Sequence, residues 1–371
     1  MKKGLLGDIE ASPSSYGAVR LNKDAIVALL GEIDGLDDIS ALRERIAILK
    51  KIIGSPNGEM FGKAHPGENV VSLRKDVLSS ELDQILEART IERARYYVKR
   101  LERGVNKVKT SKLNDINLHR WKEYADIITD SLWVLPKRDT TGAHVGWYWG
   151  NFVPQIPHQL MLRYTKKGDW VMDPFVGSGT TLIECRRLGR NGIGFELNAE
   201  VASRAEELVG RERNRHSVRT EIIAADTRTI DVQRTLDSLG AKRIQLLIMH
   251  PPYHDIISFS GDDSDLSNAV STDQFLHMFG EALDNIDPVL ERGRYFALVI
   301  GDKYSKGEWI PLGFYCMSEV LKRDYSLKSI VVKNFEETRA KRDQKQLWRY
   351  RALVGGFYIF KHEYIFIFKK R

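Results

Sequence analysis

The segment that most constrains this chain is Asp173-Pro174-Phe175-Val176-Gly177-Ser178-Gly179-Thr180-Thr181. It follows the apolar-ended run Gly168-Asp169-Trp170-Val171-Met172 and leads into Leu182-Ile183-Glu184-Cys185, which reads as a helix. A strand that ends at Asp-Pro and turns through two glycines into a helix has the form of a nucleotide-type ligand site. Gly177 and Gly179 are expected to let backbone approach a ligand where a Cβ would block it. The helix start then offers free N–H groups.

The sequence around this turn alternates in the α/β manner. Strands are predicted at Trp170–Asp173, Gly192–Glu196, Glu221–Asp226, Ile244–Met249 and Tyr295–Ile300, with helices over Ala199 to about Arg213 and Thr272–Leu290. Such alternation implies a doubly wound, mostly parallel sheet. Two late strands, Leu327–Lys333 and Glu363–Lys369, show no clear helix between them and are expected to form an antiparallel pair at one sheet edge. The first third reads as helical. Ile26, Leu29 and Leu30 have helical spacing behind Asn22, a candidate N-cap, and Leu42, Ile46, Leu49 and Ile53 repeat likewise. A loop follows to Gly67. A third helix is predicted from Ser79 or Ser80 toward Leu101. Its basic end, with Lys99, Arg100, Arg103, Lys107, Lys109 and Lys112, reads either as a phosphate-contacting or, slightly better, as a solvated face.

Composition bounds the rest. The chain of 371 residues carries net charge +7, modest evidence for a polyanionic partner. No apolar run approaches the roughly 20 residues of a membrane span, and the basic start lacks the apolar stretch of a signal peptide. Two cysteines, Cys185 and Cys316, point to a reducing compartment and exclude a cysteine-based zinc cluster.

In a doubly wound sheet, ligands sit outside the carboxyl ends of the strands. Asp173, Glu196 and Asp226 stand at three successive ends, and His250-Pro251-Pro252-Tyr253 at the fourth. Glu196 suits two ribose hydroxyls and Asp226 an adenine amino group. The glycine turn and the Pro-Pro-Tyr run together resemble the S-adenosylmethionine-dependent amino-methyltransferases of DNA, the N6-adenine and N4-cytosine enzymes. Gly150-Asn151-Phe152-Val153-Pro154-Gln155-Ile156-Pro157 sits where that family has a cofactor-contacting segment. The resemblance covers about residues 120–371 and implies a Rossmann-like methyltransferase sheet with an antiparallel final hairpin. The domain division expected is a helical region at 1–115, for DNA recognition or interaction, and a methyltransferase domain at 116–371.

The same resemblance implies a cofactor site of Phe152, Pro154, Asp173, Pro174, Phe175, Gly177, Ser178, Gly179, Thr180, Thr181, Glu196, Asn198 and Asp226. It implies catalysis by His250, Pro251, Pro252 and Tyr253, without a metal. A conjugated amino group is a poor nucleophile. An acceptor at position 250 and the Pro251 carbonyl hold its two N–H groups, and Tyr253 offers a ring for the flipped-out base. The family usually has Asp, Asn or Ser where this chain has His250. Neutral imidazole accepts one hydrogen bond and imidazolium none. Two other readings stay open at His250: a loop histidine beside a working Pro251 and Tyr253, or a decayed site. The cofactor motif also precedes the catalytic one, whereas its Asp-Pro-Phe form is familiar where the order is reversed.

Basic and aromatic residues interleave at Arg339, Lys341, Arg342, Lys345, Trp348 and Arg349, a candidate DNA-contacting stretch. The acidic stretch Ser258–Ser271 is expected to be a mobile flap or solvated loop. Partners implied are double-stranded DNA and, as such enzymes can have, a cognate restriction endonuclease. No membrane is expected, and a cytoplasmic prokaryotic or phage setting follows. RNA amino groups, or DNA binding by a decayed scaffold, are the alternative readings.

Overall fold

A computed structural model describes residues 17–54, 69–334 and 345–371. The chain divides into two compact units, Met1–Ile127 and Ile128–Arg371. In the first, β1 (Ala18–Asn22) runs into α1 (Lys23–Asp34), followed by α2 (Ile39–Gly54), β2 (Val70–Arg74), α3 (Lys75–Leu86) and α4 (Ile91–Asn106). Asn22 does cap α1, accepting from the Ala25 N–H at 3.0 Å. The apolar stripes of the helices meet in one core, with Leu30, Leu42, Ile46, Leu82, Ile85 and Val98 all buried. Each such side chain contributes about 1.5–3 kcal/mol of burial.

The predicted long third helix is two helices. Thr90 accepts from the Arg93 N–H and starts α4 afresh, and the carbonyl of buried Ala88 accepts from Arg43. The antiparallel pair of β1 and β2 was not expected, because their pairing spans the two helices between them. The basic face of α4 is partly neutralised within the unit. Arg100 pairs with Glu81, and Lys99 with Asp34 at 3.4 Å.

The second unit holds β3 (Leu132–Trp133), α5 (Gln155–Tyr164), β4 (Trp170–Asp173), α6 (Thr180–Leu188), β5 (Asn191–Glu196), α7 (Ala199–Arg211), β6 (Thr220–Ala224), α8 (Val232–Ser238) and β7 (Ile244–Met249). It continues with α9 (Thr272–Ile286), β8 (Leu290–Ile300), β9 (Lys303–Ser305), β10 (Glu308–Ile310), α10 (Leu312–Leu321), β11 (Tyr325–Asn334), α11 (Lys345–Gly355) and β12 (His362–Lys370). Eight strands make one sheet in the order β3-β11-β12-β8-β7-β4-β5-β6. The run β8-β7-β4-β5-β6 is parallel, and β12 is antiparallel to both β8 and β11. This is the Rossmann-like α/β architecture expected from the sequence.

Two details differ from the sequence reading. The β11–β12 pair is not at the edge, because β3 adds outside β11 in parallel. The Val332 N–H bonds the Ser131 carbonyl at 2.8 Å and Asn334 accepts from the Leu135 N–H at 2.8 Å. A helix, α11, does lie between those two strands. Among the described residues no helix is long and apolar enough to cross a membrane.

The strand order reverses between β4 and β7, so their carboxyl ends open onto a crevice. Close packing of the glycine turn onto β5 fixes that crevice. A Cβ on Gly194 would stand 2.6 Å from Val176 Cγ2, whereas one on Gly210, exposed on α7, would meet nothing within 4 Å. Gly194→Ala is therefore expected to destabilise by about 1–3 kcal/mol and Gly210→Ala to be neutral or stabilising. Thermal melts of the two variants check this; equal midpoints would remove the packing argument.

Candidate active site

A cavity of about 620 Å³ lies outside the carboxyl ends of the parallel strands. Each strand supplies part of its wall: Pro174 to Ser178 after β4, Glu196 after β5, Asp226 after β6, His250 to Tyr253 after β7, and Asp302 after β8. Of the expected cofactor contacts, Phe152, Pro174, Phe175, Gly177, Ser178, Thr180, Glu196 and Asp226 line it.

Pro154, Asp173, Gly179, Thr181 and Asn198 are not among the lining residues; they build the frame. Asp173 is fully buried. Its Oδ1 accepts from the Phe175 N–H at 3.1 Å and its Oδ2 from the Thr181 hydroxyl at 2.5 Å. Burial drives its pKa up to about 7, against the pull of those two bonds. Gly179 has φ +81°, and a Cβ there would meet Val209 of α7 at 2.9 Å. That glycine is needed for turn shape and helix packing. Asn198 caps α7, and Pro154 stands just before α5.

The two cavity-facing acids also have protein partners. Glu196 accepts from the Gly177 and Asn198 N–H groups, each at 3.0 Å, and burial raises its pKa. Asp226 accepts from Arg228, with Nη2 at 2.8 Å.

Another wall is an aromatic strap, Gly146 to Val153. Tyr148 stacks on Phe259, and Arg204 lies 4.0 Å over the Trp147 ring. The strap is clamped to α6 by Glu184, which the sequence reading passed over. His144 Nε2 lies 2.7 Å from its Oε1 and His158 Nδ1 lies 2.7 Å from its Oε2. Arg187 joins them, reaching Asp139 Oδ2 at 3.0 Å, Glu184 Oε1 at 3.3 Å and the Thr141 carbonyl at 2.5 Å. The available signal was Glu184 itself, a carboxylate among Leu182, Ile183 and Cys185. Asp139, His144 and Glu184 could together ligate a metal, but the Arg187 guanidinium already supplies the cation there.

At the fourth strand end, His250 lies beside Phe152, with ring centroids 4.9 Å apart, and its Nε2 is 3.3 Å from the Tyr253 hydroxyl. Burial, reinforced by Lys333, lowers the His250 pKa to about 4 against the pull of Glu363, so the ring is neutral at pH 7. Tyr253 donates to Glu363 Oε2 at 2.8 Å, and Lys333 Nζ sits 3.1 Å from Glu363 Oε1. Both charged residues line the cavity and are buried. His254 follows with φ +53°, a strained backbone for a non-glycine residue. Its ring is held by Lys303 at Nδ1, 2.7 Å, and by the Ala269 carbonyl at Nε2, 2.9 Å.

The acidic stretch after this motif is not simply a solvated loop. Asp265 is buried, lines the cavity and accepts from Ser260 Oγ at 2.7 Å and the Ser267 N–H at 2.8 Å. Of the expected DNA contacts, Arg339, Lys341 and Arg342 lie outside the described residues, as does the Lys345 side chain. Trp348 and Arg349 stand on α11, where Tyr350, Leu353 and Val354 are exposed.

Residues 41–207 match the family described as DNA methylase. The type II methyltransferase M.MjaI of Methanocaldococcus jannaschii is 31% identical over 94 residues, 25% of this chain and 31% of that protein. M.HpaI of Haemophilus parainfluenzae is 43% identical over 56 residues, 15% of this chain and 18% of that protein. The chain thus spans less than a third of the length of these curated relatives. Among solved structures, TrmN from Thermus thermophilus aligns with TM-score 0.40 at 15% identity, over 60% of this chain and 50% of that one.

Burial pushes the Glu184 pKa up, but the bonds from His144 and His158 overcome this and hold it at about 2. The folded value is below the ordinary carboxylate value of 4.5. The clamp's stability is therefore present above pH 4.5 and lost as pH falls toward 2, by an amount on the order of 3 kcal/mol. Chemical denaturation of wild type and Glu184→Gln between pH 7 and 3 should show the stability gap closing as pH falls; a gap independent of pH would discount the clamp.

Proposed function

We propose that this relative of the DNA amino-methyltransferases transfers a methyl group from S-adenosylmethionine to an exocyclic amino group, adenine N6 or cytosine N4, of a base flipped out of duplex DNA. The observation that carries the reading is a single cavity at the switch point, lined by both the glycine turn and the His250-Pro251-Pro252-Tyr253 run. Its volume falls in the range of small-molecule sites.

The residues present fit the cofactor. Gly177, with φ +49°, leaves a cradle facing the Tyr148 ring, where a Cβ would stand 3.1 Å from Cε1. Glu196 retains acceptor capacity for ribose hydroxyls, since each carboxylate oxygen has two lone pairs, and Asp226, whose two oxygens each take two contacts from Arg228, would meet an adenine amino group by giving up part of them. Arg138 lines the same cavity, and its Nε and Nη2, the side-on fork of the guanidinium, have no hydrogen-bond partner among the described residues. A ligand carboxylate is the complement such a fork lacks. When bound, S-adenosylmethionine supplies a sulfonium methyl, whose carbon–sulfur electron pair stays on sulfur as the amino lone pair takes the carbon.

The chain's own residues position the acceptor. His250 and the Pro251 carbonyl hold the two amino N–H groups, Pro251 and Pro252 stiffen the turn, and the Tyr253 ring lies alongside the base. The methyltransferase domain is assigned to residues 116–371, with a recognition role for residues 1–115. DNA contact is assigned to the segment of Arg339, Lys341, Arg342, Lys345, Trp348 and Arg349. From Lys345 to Lys361 there is no acidic residue, while Lys345, Arg349, Arg351 and Lys361 alternate with aromatics. That composition suits phosphate contact and base stacking. A cognate restriction endonuclease as partner follows the same reading.

His250→Ala and Tyr253→Ala are expected to keep S-adenosylmethionine binding by calorimetry while methyl incorporation into unmethylated duplex DNA falls at least about 100-fold. Parental rates in both would end the catalytic assignment. Arg138→Gln should weaken cofactor binding by about tenfold, and Arg349→Gln should lower the salt dependence of DNA binding by about one charge. Unchanged titrations would remove those two contacts.

A further inference from the structure

We infer that Glu363 is a positioning residue that, through the Tyr253 hydroxyl, fixes the tautomer of His250 so that Nδ1 is left as the acceptor facing the site. Ionised Glu363, paired with Lys333 at 3.1 Å, can only accept. The single proton of the Tyr253 hydroxyl therefore goes to Glu363 Oε2, 2.8 Å away. The contact of 3.3 Å between that hydroxyl and His250 Nε2 must then run the other way, with Nε2–H donating to the tyrosine oxygen. Neutral imidazole carries one N–H, so Nδ1 holds the lone pair.

The chain of donors begins at Lys333 on β11, passes Glu363 on β12 and ends at His250 after β7. All four members line the cavity. Burial and the Glu363 charge hold the Tyr253 pKa well above its ordinary value, so the hydroxyl keeps its proton. A ring anchored this way presents a defined acceptor where the family's usual side chain would be an oxygen. As the amino nitrogen gains its fourth bond, one N–H proton passes to Nδ1. The resulting imidazolium releases it to solvent after the product leaves.

Other polar groups lie near this relay. Asp302, after β8, acts on Tyr253 and accepts from Trp309 Nε1 at 3.0 Å and the Gly313 N–H at 3.0 Å. His362, at the start of β12, contacts the Tyr364 hydroxyl at 3.0 Å. Of the charged groups, Glu363 raises and Lys333 lowers the His250 pKa.

The test reads the imidazole directly. The full chain is labelled with nitrogen-15 histidine, and His250 is assigned by its loss in His250→Asn. Long-range proton–nitrogen correlation at pH 7 should show Nε2 protonated and Nδ1 bare. In Tyr253→Phe the preference should collapse to a mixture. Titration should show the His250 pKa falling in Glu363→Gln and rising in Lys333→Met, opposite shifts that a general loss of packing does not produce. A wild-type ring protonated at Nδ1, a tautomer unchanged in Tyr253→Phe, or shifts of the same sign in the two charge variants would overturn the inference. The catalytic consequence rests on the proposed methyl transfer. Glu363→Gln should lower kcat about tenfold or more at unchanged S-adenosylmethionine affinity. If wild type methylates no duplex DNA, the functional reading falls while the tautomer result stands; if Glu363→Gln turns over at the wild-type rate, the positioning role falls.

Discussion

The interaction on which the rest of the site depends is the buried carboxylate of Asp173. It joins the end of β4, the turn after it and the first turn of α6 by accepting from both the Phe175 N–H and the Thr181 hydroxyl. With the chain pinned there, Gly177 N–H is aimed at Glu196 and the cavity floor is set. Burying a carboxylate is unfavourable, and this one shows it in a pKa raised to about 7. Because the folded value lies above the ordinary 3.8, the ionised form is disfavoured in the fold. Stability from this group is greatest below pH 3.8 and declines as pH rises through 7. The frame accepts that cost to hold a turn that two glycines alone would leave loose.

The strand-end acids thus divide by job. Asp173 turns inward and serves the turn. Glu196 faces the cavity with part of its acceptor capacity occupied, which orients the remainder, and Asp226 faces it held by Arg228. The same logic extends to the strap: Glu184 is wholly committed to His144, His158 and Arg187, and through them holds the aromatic wall of the cavity.

Much of this was legible in the sequence because its signals are local. The parallel strands, the glycine turn, the Asn22 cap and the strand-end acids each follow from a few neighbouring residues. What stayed hidden depends on distant partners. Tyr253 meets Glu363 across 110 positions, and His144 meets Glu184 across 40. The pattern also misled where two physical uses look alike. Asp265 reads as a solvated acid and is buried in the cavity wall, and Gly179, read as room for a ligand, also makes room for α7. The break before Thr90 was missed because apolar spacing continues across it.

The unusual His250 makes sense only with its distant neighbours. Lys333 and Glu363 already form a buried pair of one positive and one negative charge. An aspartate at position 250 would set a second carboxylate against that pair, leaving net negative charge beside a buried ion pair. Such an uncompensated charge is strongly unfavourable. A neutral imidazole gives an acceptor without the charge. Its low pKa, set first by burial and then by Lys333, keeps it neutral where an ordinary histidine near pH 6.5 would begin to protonate. The substitution at 250 and the ion pair brought in by the final hairpin are therefore one electrostatic arrangement: changing His250 to the more familiar acid without also removing Glu363 would restore the motif while unbalancing the site.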